Sequence, residues 1–123
     1  MSRDRTSLEE RQRRNRSGAL AEWAAAALLM AKGYRICARR FSCAAGEIDL
    51  IAVRGRRLAF IEVKRRATLE AAHESIGAMQ RARIEGSADT WLARHPPYQS
   101  YDIAFDVVFV VPGRIPQHLE NGL

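Results

Sequence analysis

The chain has 123 residues and a hydrophobic fraction of 47%, which suits one globular domain with a single core. A net charge of +6 favours a polyanionic partner, though charge alone does not separate nucleic acid from a membrane surface. Cys37 and Cys43 lack a C-x-x-C spacing, so without distant histidines they do not make a zinc site, and they read as reduced thiols of a cytoplasmic protein.

Residues 1–16 are highly charged and lack apolar periodicity. They read as a flexible basic arm, either a phosphate-contacting tail or a plain disordered terminus. A single domain is expected over residues 17–123. Ser17–Lys32 is predicted as a helix, with Ser17 as N-cap and Gly33 as the stop beyond its C-terminus. Basic residues followed by an alanine- and leucine-rich run also suggest a signal peptide. Glu9, Glu10 and Glu22 argue against one, as does the absence of a small-residue cleavage site before Lys32. The run is also too short to span a membrane. Glu22 lies on the same helix face as Ala26 and Leu29, where a carboxylate needs a cation, a donor or a raised pKa. A boundary glutamate reaching for solvent or for an arginine of the arm is the alternative.

Tyr34–Ala38 is predicted as a first strand, followed by Arg39, Arg40 and a small-residue loop through Ser42–Ala45. The stretch Gly46–Lys64, GEIDLIAVRGRRLAFIEVK, then has the alternation and β-branched content of a β-hairpin. With Gly55-Arg56 as a two-residue type II′ turn, opposed residues have numbers summing to 111. Val53 then faces Leu58, Ile51 faces Phe60, Asp49 faces Glu62 and Glu47 faces Lys64. Opposed residues share a face, so two acids and a lysine converge at the open end, while a one-residue slip would separate the acids. Like charges opposed in a sheet are unfavourable, and a bound cation is the economical remedy. The bland alternative is a solvated end where Lys64 pairs with Glu47 or Glu62. Leu58–Val63 has almost no polar face, as in a strand covered on both sides.

Arg65 and Arg66 extend the positive end of this strand. A helix is predicted over about His73–Arg94, with Ile76, Gln80, Ile84, Ala88 and Trp91 forming one stripe. Gln80 is the polar member of that stripe. Gly77 and Gly86 each weaken the helix by roughly 1 kcal/mol relative to alanine, and His95-Pro96-Pro97 ends it. Tyr101–Val111 is a strand with Tyr101, Ile103, Phe105, Val107 and Phe109 on one face, and Asp106 on the other beside Ala104 and Val108. The crossover from Leu58 to Val111 predicts that the two strands run parallel and the connection is right-handed. Arg114–Leu119 adds a short last strand. His73, His95 and His118 have no ligand spacing and are given no catalytic role.

The order helix, strand, acid-bearing hairpin, Glu-x-Lys, helix, strand resembles the restriction-endonuclease-like, PD-(D/E)xK nuclease fold. GEIDLIA…FIEVK is more specifically similar to the YraN family of small bacterial proteins, which resembles archaeal Holliday-junction resolvases. Gly33-Tyr34-Arg35-Ile36, Trp91-Leu92 and Phe105-Asp106-Val107-Val108 extend the match over Gly18 to about Leu119. The resemblance implies an α/β fold, a central mixed β-sheet flanked by helices in the order α-β-β-β-α-β-β. It also implies that Asp49 and Glu62 bind metal, that Lys64 is the catalytic lysine and that Glu22 completes the site. Gln80 stands where relatives usually carry lysine, Arg40 where they carry asparagine, and Ala104 where they carry arginine. Resolvase-like relatives act as dimers, so a homodimer is compatible with the resemblance.

The expected activity is metal-dependent endonucleolytic hydrolysis of DNA phosphodiester bonds, branched or junction DNA included, in the cytoplasm and away from membranes. Mg²⁺ or Mn²⁺ suits two carboxylates completed by water and substrate phosphate. Lys64 would orient the attacking water or neutralise developing charge, with Glu22 acting through water and Gln80 orienting water or phosphate. Arg39, Arg40, Arg65, Arg66, Arg81 and Arg83 are the expected contacts to the DNA backbone. The rival expectation is a nucleic-acid-binding module of the same fold that does not cut. A third is an interaction domain whose basic arm docks an acidic protein.

Overall fold

The structure is a computed structural model. It describes residues 18–74 and 77–123, with the backbone alone at 73, 74, 78 and 79. The predicted arm, the Ser17 cap and Ile76 lie outside the described residues.

Helix α1 covers residues 18–31. It stops at Gly33, whose φ of +93° needs no Cβ to be accommodated. The amides of Gly33 and Tyr34 return to the carbonyls of Met30 and Leu29, a Schellman closure that satisfies the last turn. Among the described residues five strands follow: β1 (Arg35–Cys43), β2 (Gly46–Arg54), β3 (Arg57–Arg65), β4 (Asp102–Val110) and β5 (Gln117–Leu119). They form one mixed sheet in sequence order. β3 and β4 are parallel, as the crossover predicts, and every other pair is antiparallel.

The hairpin register is the one expected. Arg54 pairs with Arg57, Val53 with Leu58 and Ile51 with Phe60. Gly55 takes φ +60°, and Arg56 is not among the residues at positive φ, the signs a type II′ turn requires. Alternation then sends Leu50, Ala52, Ala59 and Ile61 to one face, where they pack on Ala25, Ala26 and Leu29 of α1. Ile51, Val53, Leu58 and Phe60 go to the other face, against Ile84, Ala88 and Trp91. The result is a sheet between two helical layers, with β3 fully buried from Leu58 to Ile61.

Two expectations are corrected. The first strand does not end at Ala38 but continues through Arg39, Arg40 and the predicted loop to Cys43, and the chain turns at residues 44–45. As an edge strand β1 exposes Arg39, Arg40 and Ser42, so it lacks the apolar alternation that would reveal it, and pairing with β2 holds it in place. The single long helix is instead two, α2 (Leu69–Glu74) and α3 (Ala78–Arg94). Gly77 is extended, with φ −147° and ψ 158°, and separates them, while Thr68 Oγ1 accepts the Ala71 amide hydrogen to cap α2. The order is therefore α-β-β-β-α-α-β-β. Gly86 stays within α3, where a Cβ would stand 3.1 Å from that of Ala45. Its lack of a side chain lets the β1–β2 turn lie close against the helix.

Candidate active site

The β2–β3 ladder ends at Leu50–Ile61. On the other side of β2 the pairing steps from Arg39–Leu50 to Phe41–Ile48, passing over Arg40 and Asp49. Asp49 therefore sits where β2 has lost its ladder partners on both sides. The expected Asp49–Glu62 and Glu47–Lys64 ladder pairs do not form. Instead the Asp49 carboxylate takes the amide hydrogen of Val63 on β3 at 2.7 Å, occupying the gap where backbone pairing would have continued. Lys64 turns to Glu62, with Nζ to Oε1 at 3.4 Å.

This splayed end opens onto a cavity of about 310 Å³ lined by Gly46, Glu47, Ile48, Asp49 and Glu62 from the sheet, and by Gln80, Arg83 and Ile84 from α3. The two acids whose convergence the register predicts thus share one cavity with the polar member of the α3 stripe. Ile84, one turn beyond Gln80, is in the core, so helical spacing fixes Gln80 over the sheet. Its Oε1 is buried and accepts no hydrogen bond among the described residues.

The site is rich in negative charge. Burial is the largest influence on Asp49 and raises its carboxyl from 3.8 to about 6, with the fields of Glu22, Glu62 and Glu47 adding to the rise and the Val63 amide opposing it. Glu22, 8% exposed on α1, receives Arg40 Nε at 2.7 Å. That hydrogen bond, followed by the charge of Glu22, raises the guanidinium pKa of Arg40, and Glu47 and Asp49 add to it. Arg40 holds this position from a left-handed backbone, φ +55°, uncommon for a long side chain. Lys64 is buried, whereas the Glu62 carboxylate it pairs with stays partly open to the cavity. Glu22 and Glu62 act on Asp49 through their charges, Lys64 pairs with Glu62, and Gln80 shares the cavity with Asp49 and Glu62.

The arginines divide. Arg83 lines the cavity, and Arg65 and Arg66 are exposed at the end of β3. Arg39 lies over the Trp23 ring at 4.2 Å. Arg81 is turned to other work: it pairs with Glu85 at 2.7 Å, covers the Phe105 ring and donates to the Leu123 carbonyl.

Sequence reasoning missed one buried polar network. Asp106 is fully buried and receives both amino groups of Arg57, at 2.6 and 2.8 Å, His118 Nε2 at 2.7 Å and the Asn121 amide at 2.8 Å. Burial alone would push this carboxyl up, but His118, Arg57 and the Asn121 amide together bring it well below the usual carboxylate range. The His118 side chain, on the short last strand the sequence predicts, is buried and also contacts Lys32. The signal available in the sequence was a charged residue between Phe105 and Val107 in a core strand.

Among the described residues no group of three or more His, Cys, Asp or Glu side chains is arranged to hold a metal. No helix among them is long and apolar enough to cross a membrane. Cys37 and Cys43 are free thiols.

Residues 21–110 match the model of the uncharacterised protein family UPF0102. A UPF0102 protein of Methylorubrum extorquens is 55% identical over 104 residues, covering 85% of this chain and 81% of the relative. One from Mesorhizobium japonicum is 51% identical over 111 residues, covering 90% and 89%. One from Maricaulis maris is 52% identical over 101 residues, covering 82% and 80%. The chain spans most of each of these proteins, and it belongs to the uncharacterised protein family UPF0102.

Proposed function

We propose that the protein is a metal-dependent endodeoxyribonuclease built on a restriction-endonuclease-like sheet, acting on DNA that includes branched forms. The observation that carries the proposal is the meeting of Asp49, Glu62 and Gln80 in one cavity, with Lys64 on Glu62. A restriction-endonuclease-like reading also accommodates the mixed sheet with its parallel β3–β4 pair and the acids at the open end of the β2–β3 hairpin.

The donor set fits Mg²⁺ or Mn²⁺. Asp49 and Glu62 offer hard oxygen ligands, and the raised Asp49 carboxyl marks a place where ionisation is costly until a cation arrives. Two carboxylates are too few for a closed protein cage, but they suit an ion that keeps water and takes phosphate oxygens. When bound, such an ion supplies charge stabilisation and lowers the pKa of water. The chain's own residues do the rest. In this reading Lys64, buried beside Glu62, orients a water or neutralises charge developing on the phosphoryl oxygens. The Gln80 Oε1, without a partner among the described residues, is an acceptor for a water hydrogen, Arg83 and the exposed Arg65 and Arg66 supply cations for the flanking phosphates, and Glu22 completes the acidic rim.

A second reading has its own observation. The Glu22–Arg40 and Glu62–Lys64 pairs already neutralise two of the acids internally, as in a nucleic-acid-binding module that does not cut. Incubation with linear, nicked, flap and four-way-junction DNA, in Mg²⁺ or Mn²⁺ and in EDTA, decides between them. Cleavage lost in EDTA and in Asp49→Ala supports the nuclease. Salt-sensitive binding with no cleavage of any substrate overturns it in favour of the module.

A further inference from the structure

Beside the acidic rim, α1 and β1 carry a second pair of residues, one position after Glu22 on the helix and one before Arg40 on the strand. Glu22 meets Arg40, and next to them Trp23 meets Arg39, whose guanidinium carbon lies 4.2 Å from the ring centroid. Trp23 is 54% exposed, and Leu20, three residues earlier on the same helix, is 70% exposed. Helical spacing puts them on one face. Together the exposed indole and leucine make a contiguous apolar patch on α1, the kind of surface that marks a contact site. Arg39 has no carboxylate partner among the described residues. Its guanidinium covers one side of an indole that is still 54% exposed, next to the Glu22–Arg40 pair, whose charges act on Asp49 at the cavity.

We propose that Trp23 and Arg39 form a stacking platform for an unpaired base of a DNA strand that runs into the neighbouring cavity. This deepens the nuclease reading by naming the substrate feature it selects, unpaired nucleotides flanking the cut, and it rests on that reading only for the word "cut". The chemistry favours a base over an apolar protein segment. Indole and guanidinium offer two π faces and a charge, which suit a planar base joined to a phosphate, and every base has such a face. The net charge of +6 complements the strand. In a duplex the bases are stacked on one another and present only their edges, so the platform discriminates paired from unpaired DNA without reading sequence.

The test uses the full chain in EDTA at fixed low salt, titrated with a short oligothymidylate and with a blunt duplex of equal length, following tryptophan emission. Trp91 is buried in the core and Trp23 is the exposed indole, so Trp91 emission also reports that each variant is folded. The single strand is expected to quench the wild type and not Trp23→Ala. Trp23→Ala is expected to weaken single-strand binding about 10-fold, within the range for loss of one stacked base, with a much smaller effect on duplex binding. Trp23→Phe should restore most of the single-strand affinity. Equal losses on both DNAs, or an unquenched wild type, overturn the proposal. So does a change in Trp23 emission that follows protein concentration without DNA, which would assign this face to a second copy of the chain. A protein that cuts but gives no quench loses the platform and keeps the nuclease. One that stacks single strands and cuts nothing does the reverse.

Discussion

Asp49 accepts the amide hydrogen of Val63 at 2.7 Å, and this contact sets the geometry of the open end of the hairpin. A side chain from one strand takes the place of a backbone carbonyl, so β2 and β3 separate without leaving a buried amide unsatisfied. The same contact fixes one oxygen of the carboxylate and leaves the other available to the cavity.

Ionising Asp49 in the folded, metal-free protein opposes stability. Its folded pKa of about 6 lies above the unfolded value near 3.8, so the folded state holds the proton more tightly. The associated stability is complete below the unfolded pKa and is lost as pH rises through about 6. The shift corresponds to roughly 2–3 kcal/mol. Urea unfolding in EDTA at pH 4.5 and 7.5 should therefore show Asp49→Asn gaining on wild type by about that amount at the higher pH and little at the lower.

A divalent cation should offset this difference. Saturating Mn²⁺ or Mg²⁺ at pH 7.5 is expected to stabilise wild type by about 2–3 kcal/mol at 100 times Kd and to leave Asp49→Asn unchanged, as read from thermal unfolding. Proton release should accompany binding, since the ligand must be ionised.

Removing the Lys64 cation should strip catalysis while sparing affinity for DNA. Lys64→Ala is expected to lower cleavage by about 100-fold or more in a single-turnover assay, with DNA binding in EDTA changed little. Gln80→Ala should fall by a smaller factor, of about 10 to 100, because it removes one oriented acceptor.

Asp106 serves the fold rather than the cavity. Asp106→Ala leaves Arg57 and His118 facing a vacated buried site and should cost about 3–5 kcal/mol, measured by denaturant unfolding. Because its folded pKa is depressed, its contribution is present above the unfolded carboxyl pKa and fades only as pH falls below about 4.

Arg40→Asn tests a backbone preference. Asparagine tolerates the left-handed region better than arginine, while the substitution removes the cation from the buried Glu22 carboxylate, so the two effects on stability oppose each other, and Glu22→Gln in the same background should recover what the lost pair costs. The salt dependence of DNA binding should lose close to one phosphate contact.

Much of the site was legible because a hairpin register is a strong constraint. Once Gly55-Arg56 is the turn, Asp49 and Glu62 must reach the same end of β2 and β3, and they line the same cavity. Gln80 followed from helical spacing through Ile84 and Ala88. The ladder's early end was not legible, since the side-chain contact from Asp49 to Val63 that interrupts it leaves no pattern in the sequence. β1 beyond Ala38 was missed because an edge strand needs no apolar alternation. The break at Gly77 was hidden by glycine's tolerance in weak helices, and the partners of Asp106 by their distance along the chain.

The short strand β5 has a consequence for the sheet's outer margin. The segment matched to the family ends at residue 110, yet Gln117–Leu119 pairs with Val107–Phe109, and His118 and Asn121 hold Asp106 from beyond that point. A protein trimmed to the family segment would keep Glu22, Asp49, Glu62, Lys64 and Gln80. It would also bare the β4 backbone along Val107, Val108 and Phe109, an apolar template for strand addition. Such a fragment is expected to aggregate, and the last dozen or so residues act as the sheet's guard against self-association.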